Sequence, residues 1–236
     1  YQMACCQKDY TFDPAKFTAK ACDFISNAVP EGKVLVAVSG GVDSAVAYTL
    51  MKMALGQERV IGILVNNGFM IEGECEEIQE SFGRFLLYVD ASKEFYDALE
   101  ALEYGDTPQY HEAVRLAMKL KFFEVFKRVA GQFEDIRFLG QGTNRADIQE
   151  TETKLKGHHN AGELPEWMNL GIVEPLAGLY KLEIRRVAEH LGLPSEIVWR
   201  QPHPGPGNAI RVLGRAMQRL MRSISRERCW SRFIGD

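Results

Sequence analysis

One short segment of the sequence combines hydroxyl, glycine and carboxylate groups in an order suited to phosphate binding. It is Ser39-Gly40-Gly41-Val42-Asp43-Ser44, and it follows the apolar run from Val34 to Val38. Its glycines let the backbone turn and approach a ligand closely, and a helix starting here would direct its first N–H groups at an anion. Unlike the phosphate loop G-x-x-x-x-G-K-[ST], it has no lysine. It therefore predicts a site for a phosphate group beside Mg²⁺, although a Gly-Gly turn before a helix also occurs without any ligand.

A second polar cluster lies in the least regular part of the chain, between residues 140 and 165. Asp147 and Glu150 are three residues apart and are followed by Lys154, Lys156 and the pair His158-His159. A metal ion and a lysine would together stabilise departing pyrophosphate, which carries concentrated negative charge. Carboxylates on a polar loop are usually only solvated, and neighbouring histidine side chains diverge. The cluster alone therefore leaves a non-functional loop open.

The pattern of apolar residues predicts the strands and helices that would position these two polar clusters. The strand 34–38, a helix 43–55 and a buried strand 60–65 form a βαβ unit with the usual right-handed crossover. The carboxyl edge of such a sheet is where ligands of doubly wound folds bind. We therefore predict an α/β fold, a doubly wound, mostly parallel five-stranded sheet with helices on both faces. Further strands are predicted at 85–89, 136–139 and 172–173, and further helices at 14–27, 73–84, 92–102 (with Ser92 as its cap), 111–130 and 180–191.

Composition limits the classes of protein that need to be considered. The 236 residues suffice for one large α/β domain, and a net charge of −4 gives no support to nucleic-acid binding. Five cysteines without paired spacing are typical of a reducing compartment. No apolar run approaches the ~18 residues of a membrane span, and no leader pattern is visible. We expect a cytoplasmic protein that does not contact a membrane.

Several motifs in a fixed order resemble the ATP pyrophosphatase (PP-loop) domain of the GMP synthase family, over residues 17–214. They are SGGVDS at 39–44, NNG at 66–68, GQGT at 140–143, D-x-x-E at 147–150, KGHHNAGELP at 156–165, VEPL at 173–176 and RQPHPGPGNAIRVLG at 200–214. The resemblance implies a fold of the adenine nucleotide alpha hydrolase type. It also implies that ATP adenylates the O2 oxygen of a purine nucleotide, xanthosine monophosphate (XMP) or a similar acceptor. Ammonia from a separate glutaminase then displaces AMP.

The resemblance also assigns roles to individual residues. Val65 would touch adenine through its backbone. Phe122 stands where the family has an aromatic residue against adenine, although its helical period fits a plain core residue at least as well. Asp43, Asp147 and Glu150 would bind Mg²⁺ and, with Lys156, would be catalytic. The ATP-binding residues would be Ser39, Gly40, Gly41, Val42, Asp43, Ser44, Val65, Phe122, Gly142, Thr143 and Lys156.

Departures from the family pattern concentrate in the part that would bind the acceptor. The family's Val-Asp-Asn-Gly and Leu-Leu-Arg are replaced by the run 66–71, Asn-Asn-Gly-Phe-Met-Ile, which loses a carboxylate and an arginine. A basic Lys-Arg-Lys run is reduced to Arg115, and only five residues separate Glu150 from Lys156. We therefore expect a divergent or truncated member that forms a homo-oligomer. Its predicted regions are an N-terminal helical segment at 1–30, the ATP pyrophosphatase domain at 31–200 with a lid at about 143–165, and a remnant of the acceptor and dimerisation region at 201–236, ending in a basic helix.

Two other functions fit the same residues. A sulfur transferase would keep the adenylation and use sulfur as the nucleophile, and Cys75, just after the NNG loop, is the cysteine to test. A degenerate, non-catalytic ATP-binding subunit would explain the eroded acceptor motifs. Retention of Asp43, Asp147, Glu150 and Lys156 argues against it, because a binding-only relic need not keep the metal ligands.

Overall fold

The computed structural model describes residues 12–102, 107–149 and 170–200, and these form a five-stranded sheet with helices. The strands are β1 (Lys33–Ala37), β2 (Val60–Asn66), β3 (Leu86–Asp90), β4 (Ile136–Gly140) and β5 (Gly171–Val173). The helices are α1 (Pro14–Ala28), α2 (Val42–Leu55), α3 (Glu74–Phe82), α4 (Ser92–Glu100), α5 (Pro108–Ala130), α6 (Lys181–His190) and α7 (Ser195–Val198). A helical stretch at 145–149 lies between β4 and β5.

The strand order β3-β2-β1-β4-β5 puts β1 at the centre of the sheet. It pairs in parallel with β2, Val36 opposite Gly62, and with β4, Val36 opposite Gly140; β4 pairs in parallel with β5. A central parallel strand is covered on both faces, which is why Val34, Leu35 and Val36 are fully buried. The prediction of a doubly wound, mostly parallel five-stranded sheet is confirmed.

The chain divides into two compact units. Among the described residues, the first unit comprises 12–63, 83–87, 134–149 and 170–200. Its helices α1, α2 and α6 pack against one another, and its core includes Tyr48, Leu50 and Ile184. Within this unit the guanidinium of Arg59 donates to the carbonyls of Gly32 and Val29 at 2.9 and 2.8 Å. This unit contains the whole glycine-rich segment 39–44.

The second unit comprises the described residues 64–82, 88–102 and 107–133. Its helices α4 and α5 pack against each other through Phe95, which is fully buried. The ring of Phe95 meets the ring of Phe122 edge to face, with 4.7 Å between the centroids. The unit also contains the NNG turn, in which the Tyr96 hydroxyl donates to the Gly68 carbonyl at 2.7 Å.

The predicted starts of the helices are correct for α1 and wrong for α4 and α5. α1 begins as predicted, with the Asp13 carboxylate accepting from the backbone N–H groups of Ala15 and Lys16 at 3.0 and 3.1 Å. Ser92 as a cap is wrong: it is the first residue of α4, after the N-cap Ala91. α5 starts three residues before the predicted boundary at 111, because Thr107 and Pro108 supply its cap and its first residue.

None of the helices within the described residues is both long enough and apolar enough to span a bilayer.

Candidate phosphate-binding site

The segment 39–44 forms the turn between the central strand β1 and the helix α2. Gly40 has φ of +78°, a conformation that L side chains rarely adopt, so the turn requires glycine there. Gly41 is the N-cap of α2 and has no side chain to bond the N–H groups that follow. The first turn of α2 therefore presents backbone donors and the positive end of its dipole at the edge of the sheet. Val42 is buried, so only its backbone can meet a ligand.

The two serines of the segment are bonded to each other and to the turn. The Ser44 hydroxyl donates to the Gly41 carbonyl at 2.9 Å and accepts from the Ser39 backbone N–H at 3.1 Å. The oxygens of the two hydroxyls lie 3.2 Å apart. Ser44 is buried and Ser39 is exposed. Ser44 therefore holds the turn in shape, and Ser39 stands on its outer side.

The carboxylate of Asp43 is held from one side only. Its Oδ2 accepts from the Lys181 ammonium at 2.7 Å and from the Asn144 amide at 3.4 Å. Its Oδ1 is buried and has no hydrogen-bond partner within the described part of the chain. Leaving a buried carboxylate oxygen unpaired costs free energy. A cation bound to this oxygen would remove that cost.

The strand β4 leads directly onto this turn. A Cβ built on Gly142 would lie 2.7 Å from the carbonyl carbon of Asp43 and 2.8 Å from the backbone nitrogen of Ser44. Only a glycine lets the two backbones approach so closely. The next residue, Thr143, donates its hydroxyl to the Glu174 carboxylate at 2.5 Å. Of these two residues, both predicted to bind ATP, Gly142 lies against the backbone of the turn. Thr143 is the next residue and is held by its bond to Glu174.

Asn144 and Asp147 bond to each other at the start of the helical stretch 145–149. The Asn144 amide oxygen accepts from the N–H groups of Ala146 and Asp147 at 2.8 and 3.2 Å, and an Asp147 oxygen accepts from the Asn144 N–H at 3.0 Å. This reciprocal arrangement is a capping box. Asn144 therefore links Asp43 and Asp147, two of the three predicted metal ligands, because its amide nitrogen also donates to Asp43.

Two of the predicted catalytic residues lie outside the described residues. Glu150 and Lys156, together with most of the predicted lid, belong to the stretch 150–169. Within the described ranges, no group of three potential metal-ligating side chains is found. Asp43 and Asp147 are the members of the predicted set that the described residues contain, and the roles of all four residues stay predictions.

The two residues predicted to contact adenine, Val65 and Phe122, both lie in the second compact unit. Val65 is buried near the end of β2. Phe122 is half-buried in α5, where it packs on Phe95 and lies 6.0 Å from the ring of Phe126. The packing accounts for Phe122 as a core residue, and its contact with adenine stays a prediction.

Sequence reasoning missed three residues of the site: Lys181, Asn144 and Glu174. Lys181 offers one weak signal in the sequence, since the helix dipole disfavours a cation in the first turn of a helix and a nearby anion offsets that effect. The pattern Asn144-x-x-Asp147 is readable as a capping box. Glu174 lies in the quoted VEPL motif, but nothing in the sequence pairs it with Thr143.

Cys75 has the environment of a packed thiol. It is buried, and its Sγ lies 3.4 Å from the Met70 sulfur. Burial, together with the negative charges of Glu76, Glu74 and Asp90, raises the pKa of this thiol to about 11. Since the thiolate is the reactive form of cysteine, this side chain is a poor nucleophile at neutral pH.

Comparisons with known proteins show the family to which the chain belongs. The family model of NAD synthase matches residues 17–87. The chain is 46% identical over 207 residues to a subunit of the glutamine-hydrolysing GMP synthase from Methanopyrus kandleri, covering 86% of this chain and 63% of that protein. It is 42% identical over 222 residues to the corresponding subunit from Methanocaldococcus jannaschii, covering 92% and 68%. The chain belongs to the GMP synthase family.

Solved structures support the same fold at low sequence identity. An NMN synthetase from Francisella tularensis superposes with a TM-score of 0.62 at 16% identity, over 83% of this chain and 77% of that one. An NH3-dependent NAD synthetase from Campylobacter jejuni gives 0.57 at 21%, over 90% and 88%. The predicted resemblance to GMP synthase is confirmed by the sequence relatives. The chain spans 63% of the Methanopyrus protein and 42% of a GMP synthase from Halothermothrix orenii.

Proposed function

We propose that this chain is the ATP pyrophosphatase component of a GMP synthase. In the proposed reaction the O2 oxygen of XMP attacks the α-phosphorus of ATP, and pyrophosphate leaves. Ammonia then adds at C2 of the purine, and the C–O bond breaks so that AMP departs with the oxygen. The observation that carries the proposal is the turn 39–44, whose backbone donors and half-satisfied Asp43 carboxylate form a site for a phosphate chain and its cation.

Each part of the turn has a distinct task in this reaction. The N–H groups of the first turn of α2 bind the phosphate oxygens of ATP and stabilise the charge that develops on the leaving pyrophosphate. Ser44 keeps the turn in the shape in which these donors converge. Gly142 lets the chain after β4 close over the turn without a side chain between them.

Mg²⁺ fits the donor set of this site. A carboxylate oxygen is a ligand that Mg²⁺ prefers, and Asp43 Oδ1 is buried with no hydrogen-bond partner in the ranges that the structure describes. Asp43 would hold the ion with Asp147 and Glu150, the other two predicted ligands. When bound, Mg²⁺ supplies charge neutralisation for the departing pyrophosphate. The family supports ATP as the nucleotide; Mg²⁺ stays a prediction.

Ammonia would come from a separate glutaminase. The relatives from Methanopyrus and Methanocaldococcus are each named as one subunit of a glutamine-hydrolysing enzyme, which supports a partner that performs the hydrolysis. A homo-oligomeric state, a cytoplasmic location and the acceptor role of XMP are parts of the same proposal.

Sulfur transfer is the weaker alternative. It needs a nucleophilic or carrier thiol, and the pKa of Cys75 is raised to about 11 by burial and neighbouring carboxylates. A non-catalytic ATP-binding subunit is also less well supported, since the turn retains the carboxylate that a metal ion would need.

Product analysis tests the proposal. The chain is incubated with ATP, Mg²⁺, XMP and ammonium chloride, and nucleotides are separated by chromatography while pyrophosphate and phosphate are assayed. We expect AMP, pyrophosphate and GMP in equal amounts. Formation of ADP and phosphate would contradict the mechanism, and ATP binding without pyrophosphate release across a panel of acceptors would favour the non-catalytic alternative.

A further inference from the structure

We propose that Asn144 is a positioning residue, which holds the Asp43 carboxylate so that its Oδ1 stays free for a cation. This inference rests on the proposed function and adds a residue to which the resemblance assigns no role. Asn144 lies between β4 and the helical stretch 145–149, and it is buried. Its side chain and its backbone N–H bond to different groups, and each of these bonds contributes to the inference.

The orientation of the Asn144 amide is fixed by its oxygen. This oxygen accepts from the backbone N–H groups of Ala146 and Asp147 at 2.8 and 3.2 Å. If the amide were turned over, its NH2 group would meet two other donors, and both bonds would be lost. The position of the amide nitrogen is therefore fixed as well, and from there it donates to Asp43 Oδ2 at 3.4 Å.

This contact decides which oxygen of Asp43 stays free. Oδ2 accepts from Asn144 and from the Lys181 ammonium, whereas Oδ1 is buried and has no hydrogen-bond partner in the part of the chain that the structure describes. An ammonium on a flexible stem has three donors and can follow a carboxylate that rotates. The amide of Asn144 cannot follow, because two backbone bonds hold it. Asn144 is therefore the contact that opposes rotation of the carboxylate.

Asn144 also bonds the second predicted metal ligand. The Asp147 carboxylate accepts from the Asn144 backbone N–H at 3.0 Å. One residue thus holds both carboxylates that the described residues contribute to the predicted metal site. Loss of a bond that orients a metal ligand typically lowers metal affinity about 10- to 100-fold. Because the bond to Asp43 is long, we expect the lower end of that range.

A purely structural role as a helix cap is the explanation that must be separated from this one. Serine caps a helix about as well as asparagine does, but it has no amide nitrogen to reach Asp43. Asn144→Ser therefore keeps the cap and removes the contact with Asp43, whereas Asn144→Ala removes both. A cap alone predicts that Asn144→Ser behaves like the wild type.

Mn²⁺ is a suitable probe, because it prefers the same oxygen ligands as Mg²⁺ and its free concentration is measured by electron paramagnetic resonance. We expect Asn144→Ser to lower Mn²⁺ affinity about tenfold at an unchanged melting temperature. Asn144→Ala should lower the affinity by a similar factor and the melting temperature as well. Wild-type affinity in Asn144→Ser overturns the inference, and so does a loss of affinity that is confined to Asn144→Ala.

The matched control is Asp13→Ser. The Asp13 carboxylate caps α1 with the same pattern of bonds, to the N–H groups two and three residues further on. Asp13→Ser should therefore leave Mn²⁺ affinity unchanged. An equal loss of affinity in Asp13→Ser and Asn144→Ser would show that the effect comes from replacing a cap and would overturn the inference.

A measurement on the wild-type chain covers the case in which the Asn144 variants do not fold. The side-chain amide signals of ¹⁵N-labelled asparagine are followed by nuclear magnetic resonance as Mg²⁺ is added. The signals of Asn144 should shift, because the carboxylate that the amide contacts gains a ligand, and those of the exposed Asn27 should not. Asn144 signals that do not move overturn the inference.

Failure of the inference and failure of the proposed function are distinguishable. If the wild type binds Mn²⁺ and Asn144→Ser binds it equally tightly, this inference alone fails. A wild type that binds no Mn²⁺ overturns the inference, and the formation of AMP and pyrophosphate then decides separately on the proposed function.

Discussion

The turn 39–44 and the helix pair α4–α5 are stabilised in different ways. Around the turn, polar groups from distant parts of the chain meet: Asp43 contacts Lys181, 138 residues away, and Asn144, 101 residues away. In the helix pair the contacts are largely apolar, with Phe95 and Phe122 in edge-to-face contact and the exposed Arg128 bonded to Glu94 at 2.8 Å.

This difference indicates where substitutions should affect binding and where they should affect stability. Polar contacts across long sequence distances fix the direction of charged groups and leave one carboxylate oxygen unsatisfied, an arrangement that a ligand can complete. Apolar contacts between neighbouring helices are already complete and need no ligand. We expect changes at the turn to lower ATP binding or turnover, with or without a loss of stability, and changes in the helix pair to lower the free energy of unfolding alone.

Asp43→Asn should have the largest effect. The substitution keeps the shape of the side chain and removes the charge that would hold the metal ion and pair with Lys181. Loss of one electrostatic contact to a developing charge typically costs about 100-fold or more in turnover. We expect that reduction in pyrophosphate release, with little change in melting temperature because the pair with Lys181 is partly exposed. Turnover within about threefold of wild type would remove Asp43 from the reaction.

Gly142→Ala should have the next largest effect. Its Cβ would lie under 3 Å from backbone atoms of Asp43 and Ser44, and neither backbone can move aside easily. Overpacking of this kind costs typically about 1–3 kcal/mol, and the displaced turn should also bind ATP more weakly. Denaturant unfolding and ATP titration measure the two effects. Gly178→Ala is the control, because a Cβ there meets no atom within 4 Å, and equal behaviour of the two variants would contradict the proposed close approach.

Ser44→Ala should have a moderate effect on both properties. It removes the hydroxyl that bonds the Ser39 N–H and the Gly41 carbonyl, and unsatisfied groups of this kind cost about 1–3 kcal/mol. We expect a lower unfolding free energy and a higher KM for ATP. Ser81→Ala, which removes an exposed hydroxyl bonded only within its own helix, should change neither. An unaltered KM in Ser44→Ala would show that the shape of the turn does not depend on this hydroxyl.

Phe122→Leu tests the helix pair. It keeps an apolar side chain but loses the edge-to-face contact with Phe95, and such contacts typically contribute about 0.5–1.5 kcal/mol. We expect a loss of about 1 kcal/mol in thermal or denaturant unfolding, with ATP affinity unchanged. A several-fold fall in ATP affinity would support the predicted contact with adenine instead.

Cys75→Ala should have the smallest effect on turnover. With its pKa raised to about 11, this thiol is roughly one part in a thousand thiolate at pH 8, too little for an efficient nucleophile. Turnover should match the wild type at every pH between about 7 and 9. A turnover that falls in this variant, or that rises with pH only when Cys75 is present, would revive sulfur transfer.

The sequence predicted those features that depend on neighbouring residues. The start of α1 at Pro14, the apolar run of β1 and the end of α2 at Leu55 depend on local signals, and all three agree with the structure. The prediction of Ser92 as a cap is wrong by one residue: Ala91 is the N-cap, and the Asp90 carboxylate, one residue further back, accepts from the Ser92 N–H at 2.9 Å.

The contacts of Lys181 and Glu174 depend on how β5 and α6 return to the turn, and no residue nearby in the sequence encodes that. A pattern could therefore predict the turn and its two serines. It could not predict which cation would face Asp43.

The central claim is that an acceptor oxygen attacks ATP and leaves with AMP, and oxygen labelling tests it most directly. XMP carrying ¹⁸O at the O2 position is incubated with the chain, ATP, Mg²⁺ and ammonia, and the products are analysed by mass spectrometry. The account predicts one ¹⁸O atom in the phosphate of each AMP and none in pyrophosphate. Unlabelled AMP, or label appearing in pyrophosphate or inorganic phosphate, would contradict it.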